Sequence, residues 1–124
     1  MTVQLDIQSD TPRLLASRVE LEQVIMNLCL NAIQSMDGSG HLRLVVSALD
    51  SQTLEIVVED SGEGISEDVL PLIFEPFFTT KKDTGGTGIG LSNVHRIVEQ
   101  WGGSIQVHTT VGQGSRFALH LPAA

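Results

Sequence analysis

Five stretches of the sequence alternate apolar and polar residues with a period of two, and this pattern constrains the fold more than any other feature. Each stretch keeps its apolar side chains on one parity, as expected of β-strands that bury one face of a sheet. One-sided burial favours antiparallel pairing, because parallel sheets are usually covered on both faces. The apolar positions are Val3, Leu5 and Ile7; Leu42, Leu44, Val46 and Ala48; Leu54, Ile56 and Val58; Ile105 and Val107; and Phe117, Leu119 and Leu121.

Two long helices are predicted between these strands. The first covers 19–36 and ends in a Gly-rich breaker run, and the second covers 88–101 and stops at the glycine pair 102–103. A shorter helix is predicted over 67–73, with Ser66 as its N-cap. Helices on one face of a mixed, mostly antiparallel five-stranded sheet give an α/β two-layer sandwich. With 124 residues, the chain is expected to form one domain over 1–124.

The charge balance argues against a nucleic-acid surface. Fifteen acidic and seven basic residues leave a net charge of −8, whereas nucleic-acid affinity rests on clustered Lys and Arg. A phosphate ligand remains compatible, since backbone N–H groups and a metal ion act locally. No apolar run is long enough for a membrane span, so no membrane contact is expected of this chain. The single Cys29 excludes an internal disulfide and is interpreted as packing.

The first helix carries an amide stripe. Asn27, Asn31 and Gln34 fall on one face, although asparagine is a mediocre helix former. An amide oxygen suits Mg²⁺, which keeps several waters and bridges to nucleotide phosphates. The alternative is an ordinary solvated polar face.

A second candidate site follows the third strand. Asp60 continues the apolar parity of that strand, so its carboxylate is predicted to point inward, where it needs hydrogen-bond donors. The exocyclic amino group of adenine would supply one, and Gly62 and Gly64 would let the backbone approach a flat ring. An ordinary turn after a strand is the alternative.

A glycine-rich run over 85–90 leads into the second long helix. Free N–H groups at a helix start attract phosphate. A Rossmann fingerprint is rejected because 79–84 is polar rather than a strand, and a Walker loop is rejected because no Gly-Lys-Ser/Thr ending is present.

Three of the four phenylalanines lie between these motifs, in 74–78. Phe77 and Phe78 are interpreted as the hinge and anchor of a short lid. Lys81 and Lys82 form a basic pair in an acidic chain. Either Lys81 contacts a phosphate or the pair is simply solvated.

In this order, the motifs resemble the ATP-binding domain of bacterial sensor histidine kinases over the whole chain. The matches are the asparagine box (27–32), the first glycine box (60–65), the phenylalanine box (74–78) and the second glycine box (86–91), and 112–117 is similar to the final hairpin of the family. The run 77–81 is most similar to the nitrogen-regulation branch. The resemblance implies the Bergerat fold of the GHKL superfamily.

The same resemblance implies the cofactors ATP and Mg²⁺ and a role for each matching residue. Asn31 would bind the metal, while Asn27 and Lys81 would complete the catalytic set. Asp60 would read the adenine amino group with the help of Ser115. The residues implied in nucleotide binding are Asn27, Asn31, Gln34, Asp60, Gly62, Gly64, Ile65, Phe77, Thr80, Lys81, Gly86, Thr87, Gly88, Ile89, Gly90, Leu91 and Ser115.

Two departures from the family matter. Gln34 stands where many relatives carry Lys or Arg, so phosphate neutralisation is expected to depend more on Lys81, Mg²⁺ and the helix start. In addition, none of the four histidines is followed by Glu or Asp, as the family's phosphoacceptor is. The acceptor and dimerisation helices are therefore expected to be absent from this chain and to lie upstream in a parent protein.

The implied function is transfer of the γ-phosphoryl group of MgATP to a histidine of a separate dimerisation domain, in two-component signalling. The related ATPase clamps have a glutamate base four residues before the metal-binding asparagine; Asn27 occupies that position here and cannot take a proton from water. A serine kinase of the anti-sigma class and a transfer-inactive nucleotide-binding module are the alternatives. The expected partners are ATP or ADP, the acceptor domain and a response regulator. The fragment is expected to be monomeric and cytoplasmic, whether or not the parent kinase is anchored in a membrane.

Overall fold

The computed structural model describes residues 2–7, 18–36, 40–50, 52–75 and 90–122. All five predicted strands and both long helices are present there. The start predicted for the second helix, Gly88, lies outside the described residues. The elements are β1 (Thr2–Ile7), α1 (Arg18–Ser35), β2 (His41–Asp50), β3 (Thr53–Asp60), a 3₁₀ helix (Leu70–Leu72), α2 (Gly90–Gln100), β4 (Ser104–Thr110) and β5 (Gly114–Pro122).

The strands form one sheet in the order β1-β2-β3-β5-β4. The pairs β2–β3, β3–β5 and β5–β4 are antiparallel, and the pair β1–β2 is parallel. The predicted mixed, mostly antiparallel five-stranded sheet is therefore confirmed. Because β3 and β5 lie at its centre, residues at the ends of these two strands are the best placed to be buried.

Both helices pack on one face of the sheet and complete the predicted two-layer sandwich. The inward parity of the strands supplies one side of the core, and α1 and α2 supply the other. No helix in the described ranges combines the length and apolarity needed to cross a bilayer. The largest fully buried side chains are Phe117, Leu28, Ile56, Ile97, Leu119, Leu121, Val24, Val58, Val94 and Val98.

The opposite face of the sheet carries pairs of polar side chains that join adjacent strands. His120 Nε2 lies 2.8 Å from Glu55 Oε2, and Arg116 Nε lies 3.3 Å from Glu59 Oε1. These cross-strand pairs flank the Val57–Ala118 pair, in which both residues are buried. The polar parity therefore forms a charged rim around a small apolar centre, away from the helices.

The predicted short helix over 67–73 is wrong in type. Residues 67–69 form a turn, followed by a single 3₁₀ turn at Leu70–Leu72. Pro71 explains the difference, because a proline in a helix interior lacks the N–H and clashes with the carbonyl four residues earlier. Ser66 still begins the segment, but through its backbone oxygen, which accepts hydrogen bonds from the N–H groups of Val69 and Leu70.

Candidate functional site

Asp60 ends β3 on the face that packs against the helices. It is buried, with 8% of its surface exposed, and it pairs with Ser115 of β5. Its Oδ1 accepts a hydrogen bond from the N–H of Gly62 at 2.9 Å and a longer one from Ser35 Oγ at 3.5 Å. The predicted inward carboxylate is confirmed, and the end of α1 lies directly beside it.

Burial raises the pKa of the Asp60 carboxyl above its ordinary value, while hydrogen bonds from Gly62, the backbone of Ser115 and the Ser35 hydroxyl oppose the rise. Desolvation therefore outweighs the donors that the chain itself provides. An external N–H donor at this position would stabilise the ionised form. The carboxylate is thus suited to a ligand that offers a hydrogen-bond donor.

The loop after Asp60 is held from two sides. The N–H of Glu63 donates to the carbonyl of Ser35 at 3.3 Å, and the carbonyl of Glu63 accepts from the N–H of Gly112 at 2.8 Å. Gly64 has φ of 74°, and a Cβ there would lie 2.3 Å from the carbonyl oxygen of Thr110. Residue 64 must therefore be glycine. The first glycine box is held in place between α1 and the β4–β5 hairpin.

Thr109 of β4 is a site residue that sequence reasoning missed. Its Oγ1 accepts a hydrogen bond from the N–H of Ile65 at 2.8 Å and lies 2.9 Å from the Oγ of Ser115. Ser115 is itself buried, with 7% exposure. The signal was available: Thr109 stands on the inward parity of Ile105 and Val107, where a polar residue needs a partner.

The amide stripe on α1 begins beside the start of α2. Asn27, Asn31 and Gln34 are all half-buried. A Cβ built on Gly90 would lie 3.7 Å from the Cβ, Cγ and Oδ1 of Asn27. Asn27 Nδ2 is buried and has no hydrogen-bond partner in the described part of the chain. A buried N–H₂ without a partner is expensive, and an anionic oxygen such as that of a phosphate would satisfy it.

The structure places ten of the predicted nucleotide-binding residues. Gly90 and Leu91 begin α2, and Leu91 packs against the core. The ten are Asn27, Asn31, Gln34, Asp60, Gly62, Gly64, Ile65, Gly90, Leu91 and Ser115. The others, which lie outside the described residues, are Phe77, Thr80, Lys81, Gly86, Thr87, Gly88 and Ile89.

Helix α1 connects the two parts of the site. Ser35, at its last turn, contacts Asp60, whereas Asn27, two turns earlier, lies against the start of α2. At 1.5 Å per residue, these two helix positions are about 12 Å apart. In the described ranges no cluster of three or more His, Cys, Asp or Glu side chains could hold a metal.

Comparisons with known proteins agree with this geometry. Residues 16–124 match the family model described as histidine kinase-, DNA gyrase B- and HSP90-like ATPase. The chain is 48% identical over 111 residues to the sensor histidine kinase ZraS of Escherichia coli O157:H7, covering 90% of this chain and 24% of that protein. It is 38% identical over 120 residues to sporulation kinase E of Bacillus subtilis, covering 97% of this chain and 16% of that one. The chain thus spans about a quarter or less of these relatives.

Solved structures show the same fold. The crystal structure of full-length ShkA in complex with AMPPNP superposes with a TM-score of 0.86 at 32% identity, over 99% of this chain and 26% of that one. A nucleotide-free catalytic domain of the histidine kinase ThkA gives a TM-score of 0.83 at 30% identity, over 98% of this chain and 80% of that one. The chain therefore belongs to the histidine kinase-, DNA gyrase B- and HSP90-like ATPase family, with the fold of a histidine kinase catalytic domain.

Proposed function

We propose that this chain binds MgATP and transfers its γ-phosphoryl group to a histidine on a separate helical dimerisation domain. The proposal rests on one observation: Asp60, a buried acceptor, lies beside the last turn of α1, and Asn27, two turns earlier, has a buried Nδ2 that finds no partner among the described residues. An amino group on a base would donate to Asp60, and the anionic oxygens of a polyphosphate would accept from Asn27. ATP contains both groups.

The base end of the pocket selects adenine. The Asp60 carboxylate accepts a hydrogen bond from the exocyclic amino group, and Ser115 and the backbone of Gly64 and Ile65 border the ring. A carbonyl oxygen, which guanine carries at the same ring position, would face the carboxylate and be repelled. The low exposure of Asp60 strengthens this discrimination, because charge interactions are weakly screened where water is excluded.

The phosphate end contains Asn27, Asn31 and the start of α2. The Nδ2 of Asn27 would donate to a phosphate oxygen, and the oxygen of Asn31 would hold the metal. A Mg²⁺ ion held there would neutralise charge that develops on the phosphates. The residue types fit this ion, which accepts oxygen ligands and keeps most of its waters. Gln34 adds polarity without charge, so Lys81 remains the proposed cationic contact.

Transfer is favoured over hydrolysis by the residue at position 27. A glutamate there could take a proton from an attacking water, whereas the amide of Asn27 cannot. Phosphoryl transfer to an imidazole needs little proton chemistry from the nucleotide site, since positioning and charge stabilisation suffice. We propose that residues 1–124 act as the catalytic domain of a longer kinase whose acceptor helices and response regulator are separate from this chain.

Incubation with γ-labelled MgATP tests the proposal. The chain alone is expected to carry no label on its four histidines, because none has an acceptor context. Addition of a purified helical dimerisation domain that bears an acceptor histidine should give acid-labile label on the added domain. Label on a histidine of this chain, or acid-stable label on a serine of an added protein, would contradict it.

A further inference from the structure

Thr109 is at the centre of a hydroxyl network beside the Asp60 carboxylate. Its Oγ1 makes three contacts: 2.8 Å to the N–H of Ile65, 3.2 Å to the carbonyl oxygen of Gly114 and 2.9 Å to the Oγ of Ser115. Ser115 is the cross-strand partner of Asp60, and both are buried on the same face of the sheet. The state of the Ser115 hydroxyl therefore affects the edge of the proposed site that would meet the base.

The proton count decides which hydroxyl donates to the other. A threonine hydroxyl has one proton and two lone pairs. The N–H of Ile65 occupies one lone pair of Thr109. If Thr109 donates its proton to the carbonyl of Gly114, its second lone pair accepts the proton of Ser115, and all three contacts are hydrogen bonds. If Thr109 donates to Ser115 instead, the contact with Gly114 joins two acceptors.

We propose that Thr109 is a positioning residue that makes the pocket selective for a 6-amino purine by holding the proton of Ser115. With that proton engaged, Ser115 offers only lone pairs to a ligand. Asp60 also offers only lone pairs when ionised. The two side chains together match the two N–H donors of an exocyclic amino group, and they reject a 6-oxo group, which has none. This inference rests on the proposed function, because it concerns the base of the same nucleotide.

Thr109 has a second effect, on the placement of the loop. Its bond to the N–H of Ile65 fixes the first glycine box against β4. This contact acts on any purine nucleotide to the same extent, so it changes absolute affinity but not the ratio of affinities between bases. A change in the ratio of affinities between bases therefore reports only whether Thr109 holds the proton of Ser115.

The test compares ADP with inosine 5′-diphosphate by isothermal titration calorimetry. Thr109→Val keeps the shape of the side chain and removes the hydroxyl, so Ser115 can donate to the 6-oxo group of inosine. Affinity for ADP relative to inosine diphosphate is expected to fall about three- to tenfold, the effect of one neutral hydrogen bond. Thr109→Ser should keep the wild-type ratio. Thr110→Val is the matched control, since it makes the same change one residue along, at an exposed side chain.

The outcomes separate the two proposals. A wild-type chain that binds neither nucleotide overturns the proposed function. A wild-type chain that prefers ADP, together with a Thr109→Val variant that is folded and keeps the same ratio, overturns the role of Thr109 alone. If Thr109→Val and Thr109→Ala both fail to fold, hydrogen exchange of the wild-type Ile65 amide decides: protection without nucleotide supports the network, and exchange at the rate of an exposed loop amide contradicts it.

Discussion

Replacing Asp60 by asparagine changes one atom at the proposed base-reading position. The Oδ1 of residue 60 accepts a hydrogen bond from the N–H of Gly62 at 2.9 Å, and an asparagine oxygen can keep that contact. The amide NH₂ must then occupy the other position of the former carboxylate. A donor would face the amino group of adenine, which is also a donor.

The loss is that of a hydrogen bond to a charged group. Such bonds contribute about 1.5–3 kcal/mol, and each 1.4 kcal/mol corresponds to about a tenfold change in affinity. The affinity of Asp60→Asn for ADP is therefore expected to fall by about 10- to 150-fold. Calorimetric titration of wild type and variant with ADP measures the change directly.

Stability should change in the opposite direction from affinity. Because burial raises the pKa of Asp60 above its ordinary 3.8, the native state binds more protons than the unfolded state between that value and the raised pKa. The free energy of unfolding of the wild type therefore falls as pH rises through this window, relative to the variant. At neutral pH, Asp60→Asn should be at least as stable as the wild type in urea denaturation.

Glu59→Gln is the matched control. It makes the same change from acid to amide one residue along, on the face of the sheet away from the helices, where Glu59 pairs with Arg116. Its affinity for ADP should stay within about twofold of wild type, since exposed ion pairs contribute little. An equal loss of ADP affinity in both variants, or an unchanged ADP affinity in Asp60→Asn, would refute the proposal that Asp60 binds the adenine base.

Two further predictions concern the scaffold. Gly114→Ala should lower the free energy of unfolding by about 3 kcal/mol or more, because φ is 130° and a Cβ would lie 2.0 Å from the carbonyl oxygen of Asp60. Gly112→Ala should lower it by only about 1–2 kcal/mol, because a Cβ there would have nothing within 4 Å. Leu28→Ala should cost about 2–5 kcal/mol, because this side chain of α1 is fully buried. Met26→Ala, on the same helix but 56% exposed, should cost under about 1 kcal/mol. Urea denaturation of the four variants checks both, and equal losses within either pair would contradict the packing described.

The elements that the sequence predicted well are those with long one-sided patterns. The parity of Leu54, Ile56 and Val58 placed Asp60 on the inner face, because the side-chain period of a strand is fixed by its geometry. The end of α1 at Ser35 followed from a different local signal, the Gly-rich run that comes after it in the sequence. Such signals are local and need no knowledge of tertiary contacts.

Two features were missed for different reasons, one tertiary and one local. Thr109 gains its role only because β4 and β5 bring it beside Ser115 and the loop at Ile65, which lies 44 residues away in the chain. The short segment after Ser66 was predicted as a helix from its N-cap, and Pro71 limits it to one 3₁₀ turn.

Titration of the chain with a non-hydrolysable ATP analogue, with and without Mg²⁺, tests the central claim most directly. We predict saturable binding of one nucleotide, weakened when Mg²⁺ is removed and weakened again in Asn31→Ala, which removes the proposed amide ligand on α1. The GTP analogue should bind far more weakly, because its carbonyl meets the Asp60 carboxylate. Absence of binding under all conditions, or equal binding of both analogues regardless of Mg²⁺, would contradict the account.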